Sequence, residues 1–155
     1  MKLSVETRFI ALKEPLHVAF GRIDGLETIE VRTECDGLVG RGESCPMTIY
    51  DQTPETTLAE IEALRPIIES GALDRAALQL AMPARSARNA IDCALWDLEA
   101  KLSGRSVWDL AGLDSPAVIS SDVTIGILPP EETRHAAEAC RGAAMVKLKL
   151  GGTND

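Results

Sequence analysis

The sequence predicts an α+β unit, a three-stranded antiparallel meander backed by helices, followed by one β–α–β unit of a parallel sheet. Three observations carry this. Short alternating segments flank an Asp36-Gly37 pair, a two-residue hairpin signal. Runs with apolar residues at helical spacing come next, clearest over 84–102. An extended run, a helix with proline at its start and a second extended run then fill 118–150.

Lys2 to Leu12 alternates loosely and reads as a first strand that Pro15 ends. Leu16 to Leu26, with His17, Phe20, Gly21, Arg22 and Gly25, reads as a loop. Glu27 to Glu34 is the second strand, with Ile29 and Val31 on one face, and Leu38 to Glu43 is the third. Three strands alone do not make a stable fold, so helices must cover one face. Thr53-Pro54-Glu55 has the pattern of a helix start, with proline at the first position and an acid near the positive end of the dipole. Leu58, Ile61, Leu64 and Ile68 continue that helix to Gly71, and a short one spans Asp74 to Ala81 before Pro83. The helix over 84–102 carries a stripe of Ala87, Ala90, Ile91, Ala94, Leu95, Leu98 and Leu102, so rich in alanine that its partner can approach closely. Its Asp92, Asp97 and Glu99 read as ligands, as a solvated flank or as salt links to arginines. Gly104 stops it, and Val107 to Leu110 form one more turn. Ser120 to Ile127 is extended, Pro129-Pro130-Glu131 opens a helix to about Arg141, and the last strand follows.

The 155 residues hold 45% hydrophobic residues, enough for a sizeable core. A net charge of −8 without a basic patch argues against nucleic-acid binding. Cys35, Cys45, Cys93 and Cys140 are scattered and, with two histidines, give no zinc-ligand spacing. They fit a reducing, cytoplasmic setting. No signal-peptide pattern and no membrane-length apolar run is found.

The stretch Met145-Val146-Lys147-Leu148-Lys149-Leu150-Gly151-Gly152 carries the chemistry. Alternation sets Lys147 and Lys149 on one face and Val146, Leu148 and Leu150 on the other. Two neighbouring ammonium groups depress each other's pKa, and a lysine so tuned can take a proton near neutral pH. An exposed strand with two solvated lysines satisfies the same pattern. A lone β–α–β unit leaves an open apolar edge, which points to a missing covering segment in a longer chain.

Four stretches in this order resemble the enolase superfamily, in its muconate-lactonising branch and nearest the dipeptide epimerases. Arg88-Asn89-Ala90-Ile91-Asp92-Cys93-Ala94-Leu95-Trp96-Asp97-Leu98 resembles the helix that joins capping domain to barrel. Gly40-Arg41-Gly42-Glu43-Ser44 resembles the end of the capping meander. Ser121-Asp122-Val123-Thr124-Ile125-Gly126 and Val146-Lys147-Leu148-Lys149-Leu150-Gly151 resemble barrel strands one and two.

The resemblance implies an α+β capping domain over 1–115 and the start of a truncated (β/α) barrel over 116–155. It implies a magnesium-dependent dipeptide epimerase, in which the metal holds the substrate carboxylate and stabilises an enediolate. Lys149 resembles the base on one face of the α-carbon and Lys147 its electrostatic neighbour. Thr124 resembles a substrate-facing position, and Arg22, in the capping loop, a partner for an acidic substrate side chain. The three metal carboxylates and the opposing lysine belong to later barrel strands, so no metal ligand is assigned here, Asp122 and Asp155 included. The expected partners are a dipeptide and the missing barrel segment, with homo-oligomers left open. A cycloisomerase or o-succinylbenzoate synthase of the same superfamily, or a non-catalytic interaction module, are the alternatives. This chain alone is expected to be inactive.

Overall fold

Asp36 (φ 52°) and Gly37 (φ 77°) both take positive φ, as a two-residue hairpin turn requires. In the computed structural model, which describes residues 1–116 and 118–151, this turn joins β2 (Gly21–Cys35) to β3 (Leu38–Ser44), antiparallel from Cys35 opposite Leu38 to Ile29 opposite Ser44. With β1 (Lys2–Val18) the sheet has the order β1-β2-β3. The helices α1 (Pro54–Glu69), α2 (Arg75–Ala81), α3 (Ser86–Ser103) and α4 (Val107–Leu110) follow. Then come β4 (Asp122–Ile125), α5 (Pro130–Ala139) and β5 (Met145–Leu148). The α+β meander with helices and the parallel strand pair are therefore as expected.

The expected loop over 16–26 is corrected. β1 continues through Pro15 to Val18, and β2 already starts at Gly21, so the segment is the end of a long hairpin. Proline is tolerated because β1 is an edge strand, where a missing N–H need not break a ladder.

The chain divides into two compact units. One comprises 1–10 and 27–115, the other 11–26 and 116–155. In the first, Ile29 and Val31 on one face of β2 are fully buried with Ile61 and Ile68 of α1, Leu78 of α2 and Ala87, Ala90, Ile91 and Ala94 of α3. Leu102, the last member of the expected stripe, is instead 46% exposed, in an open groove that it lines with Asp74 and Arg75 at the start of α2. The caps match the residues that make them. Thr53 Oγ1 accepts from Thr56 N with Pro54 at the first position of α1, Asp74 accepts from Ala77 N, and Gly104 closes α3 at φ 65°.

The tightest contact is between β3 and α3. A Cβ built on Gly40 would collide with the Ala94 carbonyl oxygen, and one on Gly42 with the Ala90 carbonyl oxygen and Ala94 N. Only glycine on the strand, facing alanine on the helix, allows this approach. Two acids of α3, Asp97 and Glu99, form salt links, one of the readings open from sequence, while Asp92 accepts from Gln79 Nε2 (3.2 Å). Asp97 accepts from Arg41 N (2.8 Å) and Lys101 Nζ (2.7 Å), and Lys101 also donates to Val39 O (2.6 Å), tying helix to strand. Burial pushes the Asp97 carboxyl up, but these donors outweigh it and hold it below its ordinary value. Glu99 pairs with Arg75 (2.7 Å), whose guanidinium lies 3.3 Å from the Trp96 ring centroid. No helix among the described residues is long and apolar enough to cross a membrane.

Gly42→Ala forces β3 off α3 and is expected to destabilise the fold by about 2–3 kcal/mol, the scale of core overpacking, as read by urea denaturation. Gly37→Ala, strained but with nothing near its Cβ, is expected to cost about 1–2 kcal/mol through its positive φ alone.

Candidate active site

In the second unit β4 and β5 pair in parallel, with Asp122 beside Met145, Thr124 beside Lys147 and Ile125 beside Leu148. The ladder continues one residue past β5, because Lys149 N donates to Ile125 O (2.9 Å). Paired residues in a sheet face the same way and neighbours along a strand alternate. Thr124, Lys147 and, after it, Lys149 therefore share one face. Ile125 lies on the other, 4% exposed, on the strand against which α5 packs. Proline at the start of α5, with Glu131 and Glu132 in the first turn, begins this helix soon after β4.

The end of the β1–β2 hairpin sits at the carboxyl ends of these strands. Ile127, two residues past β4, donates its N–H to His17 O (2.8 Å). A Cβ on Gly126 would stand 3.0 Å from His17 N and O. Gly151, past β5, has φ 136°, and a Cβ there would stand 2.7 Å from the Ala19 Cβ. Both junctions thus need a missing side chain, which explains a glycine after each strand.

The four expected site residues all fall in this unit. Thr124 is exposed, its Oγ1 donating to Asp122 Oδ2 (3.2 Å). Lys147 is exposed, and Lys149 is half-buried. With Leu148, Leu150, Ile127, Leu128 and, from α5, Pro130 and Thr133, Lys149 lines a cavity of about 290 Å³. Arg22 is the second residue of β2, next to the hairpin turn, and it is already engaged. Its Nε and Nη2 both lie 2.7 Å from Asp24 Oδ1. Sequence reasoning missed Asp24. The signal was an i, i+2 spacing, which places both residues on one face once the segment is a strand.

Among the described residues no three His, Cys, Asp or Glu side chains converge as a metal site. The donor set of the described residues does not fit a magnesium ion by itself, and no step is derived through one. Gly152 and Asp155 lie outside the described residues.

Residues 2–112 match the mandelate racemase / muconate lactonizing enzyme N-terminal domain. The chain belongs to this family of the enolase superfamily. Among relatives of this racemase and lactonizing family, it is 35% identical over 141 residues to the L-Ala-D/L-Glu epimerase of Escherichia coli K12, a match covering 90% of this chain and 44% of the relative. An enolase family member from Agrobacterium tumefaciens with homology to dipeptide epimerases, solved with sodium and L-Ala-L-Glu, superposes with TM-score 0.90 at 31% identity, over 99% of this chain and 46% of that one. The dipeptide epimerase of Enterococcus faecalis, solved with Mg and L-Leu-L-Tyr, gives TM-score 0.81 at 27% identity, over 97% and 45%. The chain spans less than half the length of these family members.

Gly151→Ala is expected to lift the hairpin end off the strands. Amide hydrogen exchange at Ile127, whose N–H is bonded to His17 O, then accelerates by about tenfold or more, the equivalent of roughly 1.4 kcal/mol of local opening.

Proposed function

We propose that this chain supplies the capping portion, residues 1–115, and the opening barrel strands, from 116 on, of a magnesium-dependent dipeptide epimerase. The observation that carries this reading is the parallel register. It sets Thr124 beside Lys147, with Lys149 next on the same face, at strand ends where the hairpin bearing Arg22 is seated. Carboxyl ends of barrel strands are where such enzymes build their sites. The relatives described above, two of them epimerases by name and two solved with dipeptides, support the substrate class.

In this reading Lys149 Nζ, unprotonated, takes the proton from the carbon next to the substrate carboxylate. The C–H bond breaks, and its electron pair passes into conjugation with that carboxylate. Lys147 faces the developing negative charge. Return of a proton on the opposite face inverts the centre. The second acid and the carboxylates for magnesium are assigned to residues outside the described ones. When bound, the metal supplies charge stabilisation at the substrate carboxylate. Thr124 contacts the peptide, and Arg22, oriented by Asp24, pairs with an acidic side chain of the substrate. The four cysteines are unpaired thiols, which suits a cytoplasmic enzyme.

The test is α-proton exchange of L-Ala-L-Glu in D2O by the complete enzyme. Lys149→Ala is expected to lower the exchange rate by about 10²–10⁴-fold, the scale of a lost general base. The 155-residue chain alone is expected to give no racemisation. Wild-type rates in Lys149→Ala, or racemisation by the isolated chain that Lys149→Ala abolishes, contradict the assignment.

A further inference from the structure

The first unit carries a polar cavity of about 410 Å³ where the start of α3 meets the end of β3. Its lining includes Ser44, Gln52, Gln79, Arg85, Arg88 and Asp92. Three features set it apart from a solvated crevice.

The first is a buried hydroxyl with nothing to bond. Gly40, Gly42 and Ser44 alternate onto the same face of β3. Their contacts climb α3, from Leu98 and Ala94 at Gly40 to Ala94 and Ala90 at Gly42. The next step brings Ser44 to the first turn of the helix, at the cavity wall. Ser44 is 6% exposed, and its Oγ has no hydrogen-bond partner. An orphaned buried hydroxyl is destabilising unless something fills the site.

The second is the helix terminus. Arg85, at the cap position of α3, gives no side-chain cap. Gln52 Oε1 takes the Ser86 N–H (2.6 Å), but the positive end of an 18-residue helix still faces the cavity.

The third is a pair of opposite charges that do not meet. Arg85 is engaged by Asp51 O (2.7 Å) and lies 4.0 Å from Glu60. Arg88 donates to Met82 O (3.3 Å), and among the described residues no carboxylate lies within ion-pair distance of it. Asp92 accepts from Gln79 Nε2 (3.2 Å); among the described residues no cation lies within ion-pair distance of it, and the cation it acts on from farther off, Arg75, is already paired with Glu99. Arg88 and Asp92 are four residues apart, about 6 Å along the helix. With the cation toward the N-terminus they stand in the less favourable order for pairing.

We propose that this cavity binds a small zwitterion of the amino-acid or short-peptide class. Its carboxylate lies at Arg88 and the start of α3, its ammonium group at Asp92, and the Ser44 hydroxyl hydrogen-bonds to it. The two charges of the ligand complete the two unpaired charges of the wall, and the polar lining replaces its water. The site lies within the first unit and does not rest on the epimerase reading.

The experiment is NMR titration of the 155-residue chain with L-alanine and with L-alanyl-L-alanine. The controls are N-acetyl-L-alanine, which lacks the ammonium group, and L-alaninamide, which lacks the carboxylate. Saturable shifts at the amides of Ser44, Arg88 and Asp92 are expected with at least one zwitterion, and the one that binds more tightly identifies the ligand's length. Both controls are expected to bind roughly tenfold more weakly, about 1.4 kcal/mol. Ser44→Ala is expected to weaken binding several-fold while the melting temperature holds or rises, since the orphan is gone; a purely structural serine would show neither change. Asp92→Asn is expected to erase the preference for L-alanine over N-acetyl-L-alanine. Equal binding of N-acetyl-L-alanine to the unsubstituted chain, or no saturable shift at these amides by about 10 mM ligand, roughly 3 kcal/mol of affinity, overturns the proposal.

Discussion

Backbone meeting backbone at glycine is the constraint on which both units depend. On β3, Gly40 and Gly42 let the strand lie against Ala90 and Ala94 of α3. Past the parallel strands, Gly126 and Gly151 let the hairpin end rest at His17 and Ala19. A side chain at Gly40, Gly42 or Gly151 would open a gap that no rotamer could close, because the opposing atoms are mostly backbone or a Cβ, while at Gly126 His17 would have to give by a few tenths of an ångström. The hydrophobic burial of Ile29, Ile61 and Ile91 stabilises the first unit. The glycines determine how close the layers come and so which polar groups meet, such as Asp97 with Arg41 N.

The same logic positions the chemistry. A lysine pair on a strand is common and mostly inert. Here the pair follows a strand whose register places Thr124 alongside and whose end abuts a folded hairpin. The hairpin holds Arg22 in an ion pair with Asp24, so in the proposed reading an acidic ligand would meet an oriented guanidinium with one oxygen of Asp24 already bound to it. Such a pair fixes direction at little cost in stability, since exposed ion pairs contribute about 0–1 kcal/mol. The proposed reaction divides between a base, which this chain carries, and a metal cage, which its described residues do not form.

Much of this was legible in the sequence, where local chemistry and tertiary packing agree. Asp36-Gly37 could hardly be anything but a hairpin turn, and Thr53-Pro54 and Gly104 marked helix ends for reasons internal to each turn. The alanine stripe announced a close partner, although not that the partner would be two glycines of β3. The hairpin over 16–26 was hidden. Pro15, Gly21 and Gly25 all read as strand breakers, yet Pro15 is tolerated on the edge strand β1, and the hairpin end is seated at Gly126. Asp24 was hidden with it, since its partnership with Arg22 exists only in an extended backbone. The Arg88, Asp92 and Ser44 cavity depends on three elements meeting, which no local pattern encodes.

The claim at the centre of this account is that Lys149 reaches the reacting carbon from the face it shares with Lys147 and Thr124. A crystal structure of the complete protein with a bound dipeptide tests it most directly. The account predicts Lys149 Nζ about 3–3.5 Å from the dipeptide α-carbon, a reactive approach distance, with Lys147 on the same side and the hairpin over the ligand. A structure in which the two ammonium groups leave β5 on opposite faces, or in which the dipeptide binds away from both, would contradict it.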